Sequence, residues 1–211
     1  MTPNSNNQGR PRLNWLAGFT LGWLLTVRTF AAEPTSHPTA FRAPPRTIPV
    51  HVHLLRDTPG SPLHTTLVAA DIEAFWPELN RIWQPAGVTL QLASITSERA
   101  APGALPAYPT KDSPAWVQFR FIPPVRSDGG IEVVFLERFS VNGLHTPTAI
   151  FLRTRPELRK VPDGSKSPLA RVLAHELGHA FGLAHAQPYT RLMCPGTTGT
   201  ELAESEINQV R

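Results

Sequence analysis

The sequence predicts an α+β fold, close to the α/β class, in which helices pack against a twisted mixed sheet with an antiparallel edge strand. Three observations lead to this prediction. Strand-like and helix-like segments follow one another along the chain, apolar residues recur at helical spacing, and one apolar run has the length of a strand buried on both faces. The 211 residues, 41% of them apolar, suit one domain with a sizeable core.

The first half of the predicted domain reads strand, helix, strand. Residues 48–55 alternate in part and include several β-branched side chains, which is typical of a strand. Across residues 71–83 the apolar positions recur so that one helical face meets a core, and Pro85 and Gly87 end this helix. Residues 88–95 alternate as a second strand would.

The second half adds two more predicted strands. Residues 131–136 follow an Asp-Gly-Gly turn sequence and form a nearly continuous apolar run, which indicates a central strand. Asn142 and Gly143 together predict a turn. Residues 149–152 then form a short strand, which we expect at the edge of the sheet because Pro147 precedes it.

An export leader is predicted at the start of the chain. Arg10 and Arg12 precede an apolar run over residues 13–27, and Ala31 and Ala32 offer small side chains for cleavage. The alternative is a membrane anchor, but fifteen residues fall short of the roughly 20 that span a bilayer. We therefore expect a secreted or periplasmic protein without a stable membrane anchor.

The leader divides the chain into three predicted parts. Residues 1–32 form the signal peptide, residues 33–45 form a proline-rich linker or short pro-segment, and residues 46–211 form the catalytic domain. Loss of the leader removes three of the 20 basic residues and none of the 16 acidic ones, so the formal charge falls from +4 to +1. No basic stripe with interleaved aromatic residues occurs, which argues against nucleic-acid binding. We expect a monomer by default.

The strongest functional signal is a helix that begins at Ser167 and Pro168. The serine can cap free N–H groups, and the missing N–H of proline is harmless at the first helical position. His175 and His179 lie about 400° apart around the helix axis, so both rings emerge on one side, one turn apart. Two imidazoles in this arrangement can converge on a single metal ion.

His185 is the third predicted metal ligand, and it requires this helix to end. A continuous helix would carry its ring about 240° further round the axis from His179 and ~9 Å along it. Gly182 can adopt the left-handed conformation that ends a helix. The chain can then turn back beneath the last helical turn, which allows His185 to approach the other two rings.

Glu176 is the predicted catalytic base. On a helical wheel it lies inside the apolar arc that contains Leu173 and Leu177. A buried unpaired carboxylate costs several kcal/mol, so Glu176 needs either a charged partner or a polar cleft.

Together with Met193, the segment from His175 to His185 resembles the metzincin clan of zinc endopeptidases. The shared pattern is His-Glu-x-x-His-x-x-Gly-x-x-His, and the clan places a methionine in a tight turn beneath the three histidines. The resemblance implies a metzincin-type zincin domain with an active-site helix and a C-terminal helix near residues 202–210. It also implies one catalytic Zn²⁺.

These residues predict a zinc-dependent endopeptidase that hydrolyses peptide bonds with metal-activated water. Zinc lowers the pKa of a bound water toward ~7, and Glu176 would take the proton of that water. We expect the substrate peptide to lie along the predicted edge strand at Ala149, Ile150 and Phe151, where its backbone would extend the sheet.

The subfamily and two alternative functions stay open at this stage. Ala186 follows the third histidine and selects no metzincin family, and Pro195 stands where some families carry a tyrosine ligand. A non-catalytic binding domain braced by zinc would close the fourth coordination position, for which Cys194 is the main candidate. A zinc hydrolase of a non-peptide substrate would use the same residues, because the motif fixes the metal chemistry better than the scissile bond.

Overall fold

The computed structural model describes residues 44–100 and 127–211. The predicted leader at residues 1–32 and most of the predicted linker lie outside the described residues. No helix within the described ranges is long and apolar enough to span a membrane.

The described residues form a mixed α/β structure with five strands and three helices. The elements are β1 Arg46–Arg56, α1 Ala69–Trp83, a 3₁₀ turn at Gln84–Ala86, β2 Val88–Arg99, β3 Ile131–Leu136, β4 Gly143–His145, β5 Ile150–Arg153, α2 Pro168–Ala180 and α3 Glu204–Val210.

The five strands form one sheet in the order β2-β1-β3-β5-β4. The pairs β1–β2, β1–β3 and β3–β5 are parallel, whereas β4 runs antiparallel to β5. The predicted mixed sheet and the central position of β3 are therefore confirmed. The left-handed conformation of Gly87, with φ at 72°, ends the 3₁₀ turn after α1, as its position in the sequence predicted.

Helices α1 and α2 bury their apolar sides against one face of the sheet. Val50, Val52 and Leu54 point from β1 into this core, where they join Leu173 and Leu177 of α2. The alternate residues of the strands point the other way and form a second, smaller apolar cluster. This packing fixes α2 across the sheet and therefore fixes the side chains that α2 presents.

The prediction that residues 149–152 form the edge strand is wrong. Ile150–Arg153 forms β5, which lies between β3 and β4, and Ala149, Ile150 and Phe151 are all buried. Strand β4 forms one edge of the sheet and β2 forms the other. The turn predicted at Asn142 and Gly143 ends at Asn142, where the chain bends, because Gly143 is already the first residue of β4.

The hydrophobic pattern of the sequence did not indicate β4, because this strand has only three residues and begins with glycine, which is depleted in strands. The turn between β4 and β5 lies instead at residues 146–149, where Thr146 Oγ1 accepts a hydrogen bond from the Ala149 N–H at 3.1 Å.

Candidate metal centre

Helix α2 starts where the sequence predicted. The Ser167 hydroxyl accepts a hydrogen bond from the Ala170 N–H at 3.3 Å, and Pro168 is the first helical residue. From Ala170 to Gly178 every residue of α2 is buried. The middle of the helix is therefore held between the sheet and the loop that follows it.

Three imidazoles meet at the C-terminal end of α2. The Nε2 atom of His185 lies 3.3 Å from Nε2 of His175 and 3.2 Å from Nε2 of His179. Within the described residues, these three histidines are the only group of three or more His, Cys, Asp or Glu side chains whose ligand atoms lie close enough together to hold a metal ion. The structure thus brings together the three ligands that the sequence predicted.

A reversal of the backbone at Gly182 returns the chain to the helix. Gly182 has φ at 84°, the left-handed region. Its N–H donates to the His179 carbonyl at 3.0 Å, and the Leu183 N–H donates to the Gly178 carbonyl at 2.8 Å. These two bonds form a Schellman motif, which ends the helix and sends His185 back toward His175 and His179.

Backbone carbonyls orient two of the three rings. The Nδ1–H of His175 donates to the Leu192 carbonyl at 2.9 Å, and the Nδ1–H of His179 donates to the Leu183 carbonyl at 2.9 Å. A neutral imidazole that donates through one nitrogen is an acceptor at the other. Nε2 of both rings therefore carries a lone pair at the point where the three rings meet.

The spacing of these nitrogens fits a tetrahedral zinc ion. Zinc binds imidazole nitrogen at ~2.0–2.1 Å, and two such ligands of a tetrahedron lie about 3.3 Å apart. The two His185 distances, 3.2 and 3.3 Å, match this value. Burial lowers the pKa of His175 to about 3, so its ring is neutral at pH 7, as a metal ligand must be.

The centre is closed on one side and open on the other. His175 is buried, His179 is half-buried and His185 is exposed. The Cys194 thiol, the predicted candidate for closing the site, lies instead near Oε1 of Gln187 at 3.9 Å. No Cys, His, Asp or Glu among the described residues joins the three histidines as a fourth ligand.

Met193 lies in the loop that contacts helix α2 near His175 and His179. It is fully buried, and its sulfur packs against Gly178, where any side chain would meet it. The Met193 carbonyl accepts a hydrogen bond from the Ala186 N–H at 3.0 Å, which ties the segment after His185 to the methionine turn.

Glu176 projects from α2 toward the edge strand. Only 6% of the residue is exposed. Burial raises the pKa of its carboxyl to about 7, while a hydrogen bond with the His145 backbone and the positive charge of Arg171 oppose that rise. Of the two environments considered from the sequence, the charge of Arg171 acts on Glu176 without an ion pair between them, and it does not outweigh the effect of burial.

Sequence reasoning missed three residues at this site. Arg171 precedes His175 by one helical turn, which is a signal the sequence contained, yet its burial depends on tertiary packing. Gly143 and His145 belong to β4, the strand that was not predicted. An added Cβ at Gly143 would lie 2.7 Å from Cγ and 2.8 Å from Oε1 of Glu176, so only glycine lets β4 come this close.

The chain has structural similarity to a number of solved structures. The chain resembles a zinc-dependent peptidase from Methanocorpusculum labreanum (strain Z), with a TM-score of 0.40 and 13% sequence identity over 77% of this chain and 100% of that one. No protein-family model matches the chain, and no curated protein matches it.

Replacing Glu176 by Gln should change how stability depends on pH in the zinc-free protein. Because the folded-state pKa, about 7, exceeds the ordinary value of 4.5, the proton on Glu176 stabilises the fold below pH 4.5. This contribution is lost as the pH rises through 7. Relative to Glu176→Gln, the wild type should lose on the order of 3 kcal/mol of unfolding free energy between pH 4.5 and 8.

Denaturant unfolding of both proteins with a chelator present measures this difference, in which the other titrating groups largely cancel. A difference between the two proteins that stays constant across the pH range would contradict the assignment of a raised pKa to Glu176.

Gly143→Ala should destabilise the protein through contact with Glu176. The new methyl group would also approach Cγ1 of Val172 at 2.8 Å, so β4 or these side chains must move. Overpacking of this kind costs about 1–3 kcal/mol of unfolding free energy. In a double-mutant cycle, Glu176→Ala should recover part of the loss, because it removes the nearest atoms. Additive effects of the two substitutions would contradict the close contact.

Proposed function

We propose that this chain is a zinc-dependent endopeptidase of the metzincin type. In this proposal His175, His179 and His185 hold one Zn²⁺, and Glu176 is the catalytic base. The observation that carries the proposal is the approach of His185 Nε2 to the Nε2 atoms of His175 and His179, at 3.3 and 3.2 Å, beside a buried carboxylate with a raised pKa.

The arrangement favours a catalytic metal over a structural one. Structural zinc sites are closed by four protein ligands, whereas catalytic sites keep one position open. Three histidines gather here among the described residues, and the side of the cluster at His185 faces solvent. These features disfavour the alternative of a zinc-braced binding domain, since such a domain has no need of an open coordination position.

Each residue of the centre has a separate task in the proposed reaction. When bound, zinc supplies a Lewis acid that activates water and polarises the scissile carbonyl. His175 and His179 present Nε2 because the Leu192 and Leu183 carbonyls hold their Nδ1–H groups. Glu176 takes a proton from the attacking water at its carboxylate and passes it to the leaving amine. A pKa of about 7 suits both halves of that transfer at neutral pH.

The edge strand supports a peptide as the substrate over a non-peptide compound. Strand β4 is last in the described sheet and pairs on one side with β5. A peptide that pairs with the other side of β4 would gain backbone hydrogen bonds largely independent of its sequence. Because β4 packs against α2 at Gly143 and Glu176, such a peptide would run past the metal centre.

Zinc binding and turnover should respond differently to two substitutions. Glu176→Gln should lower kcat by about 10²–10⁴-fold while the protein still binds one zinc per chain, because the variant loses the base and keeps the ligands. His185→Ala should lower the zinc content well below one per chain, since two ligands hold zinc poorly. A chelator should abolish cleavage of a mixed peptide library, and added zinc should restore it.

His64→Ala is the matched control, because His64 lies outside the cluster and should leave zinc content unchanged. Peptidase activity that persists in Glu176→Gln, or zinc bound equally well by His185→Ala, would refute the proposal.

We further propose that residues 1–32 direct export and are then removed. The basic residues before the apolar run and the small residues at Ala31 and Ala32 support this proposal. In an exporting host, the mature protein should begin just after Ala31 or Ala32, which N-terminal sequencing of the secreted or periplasmic fraction would test. A mature protein that keeps residues 1–32 would contradict cleavage.

A further inference from the structure

Helix α3 contacts the chain on both sides of the third histidine of the cluster. The side-chain N–H of Gln209 donates to the Gly182 carbonyl at 2.8 Å. Three residues earlier in α3, Glu206 pairs with Arg191 at 2.7 Å. Gly182 precedes His185 in the chain and Arg191 follows it. One short helix therefore holds both ends of the segment that carries His185.

These two contacts come from one face of α3. Glu206 and Gln209 are three residues apart, so their side chains are neighbours on the helix surface. Another face carries Ile207, which packs against the main core, and Val210, which is buried. Glu206 also accepts a hydrogen bond from the Ala203 N–H at 2.7 Å, which fixes the start of the helix. The apolar face thus anchors α3, and the polar face holds the neighbouring segments.

His185 has less support of its own than the other two histidines. His175 and His179 stand on α2, and each ring donates through Nδ1 to a backbone carbonyl. His185 is exposed and belongs to no helix or strand. Within the described residues its ring has hydrogen-bond contacts through Nε2 and none through Nδ1. The position of this ring therefore depends on how firmly its backbone is held.

Gln209 holds that backbone at the point where it reverses. The carbonyl of Gly182 and the N–H of Leu183 belong to one planar peptide unit. The Leu183 N–H donates to the Gly178 carbonyl of α2, while the Gly182 carbonyl accepts from Gln209 of α3. Rotation of this peptide unit would break both bonds. Because glycine itself restricts the backbone little, the two bonds supply the restriction that the turn needs.

We propose, building on the zinc site of the proposed function, that α3 is a latch on the third zinc ligand, with Gln209 as the positioning residue. By fixing the peptide unit between Gly182 and Leu183, Gln209 keeps His185 close to the other two rings before the metal binds. Zinc affinity then depends on the docking of α3. Zinc in turn stabilises docked α3, because the coupling between two sites is reciprocal.

The variant Gln209→Met tests the latch through zinc affinity. Methionine resembles glutamine in length and in helix propensity but has no N–H donor. Competition with a chelator should show zinc bound about 2–10-fold more weakly than by the wild type, the loss expected for one hydrogen bond. Gln209→Lys, which restores a donor on a long side chain, should recover most of the affinity.

Asn208→Met is the matched control, because it places the same new side chain one residue earlier in α3. Asn208 is exposed and forms no side-chain hydrogen bond with any residue that the structure describes. Its zinc affinity should equal that of the wild type. A loss as large as that of Gln209→Met would overturn the role of the single hydrogen bond.

Hydrogen exchange separates positioning from general stability. In the zinc-free protein, the Leu183 amide should exchange faster in Gln209→Met than in the wild type, while the amides of β3 exchange at equal rates. Zinc should slow exchange at residues 207–210 in the wild type, and this protection should be smaller in Gln209→Met. Equally faster exchange at all core amides would indicate a loss of global stability and would overturn the latch.

The two measurements also separate the latch from the proposed function. Zinc bound by the wild type and equally well by Gln209→Met overturns the latch and leaves the zinc site intact. A wild type that binds no zinc overturns the proposed function. In that case, locally faster exchange at Leu183 in Gln209→Met still supports the hold of Gln209 on the turn. Equal exchange at Leu183 in both proteins overturns the latch, whatever the zinc result.

Discussion

The reversal of the chain at Gly182 is the constraint on which the cluster of three histidines depends. Two hydrogen bonds of the Schellman motif fix this turn, and they bring His185 to within 3.3 Å of both helical histidines. The same turn directs the Leu183 carbonyl at Nδ1 of His179, so one backbone feature positions one ring and orients another. A residue with a side chain at 182 would meet the left-handed penalty of about 1–2 kcal/mol.

The loop after His185 supports the three histidines by contacting helix α2. The Leu192 carbonyl orients His175, and Met193 fills the space that Gly178 leaves open. Arg171 links this loop to α2 through the carbonyls of Cys194 and Gly199. The three histidines are therefore held by a helix, a turn and a loop together. The rings of His175 and His179 donate to backbone carbonyls, which substitution cannot easily remove.

The same burial that shapes the site also sets its electrostatics. Desolvation favours the neutral forms of both His175 and Glu176, which moves their pKa values in opposite directions. The positive charge of Arg171 partly offsets the rise in the pKa of Glu176. A neutral imidazole and a carboxyl that titrates near pH 7 thus arise side by side from a single cause, the packing of α2 against the sheet.

The sequence alone determined the parts of the site that depend on local geometry. The helical period puts His175 and His179 on one side, Ser167 and Gly182 mark the ends of α2, and Glu176 falls on its apolar arc. Strands β1 and β3 were also predictable, because a long apolar or alternating run needs no partner to identify it. Only the tertiary structure decided that β4 forms one edge of the sheet, that Gly143 meets Glu176 and that Arg171 is buried. Those features depend on contacts between residues far apart in the chain, and local periodicity carries no information about such contacts.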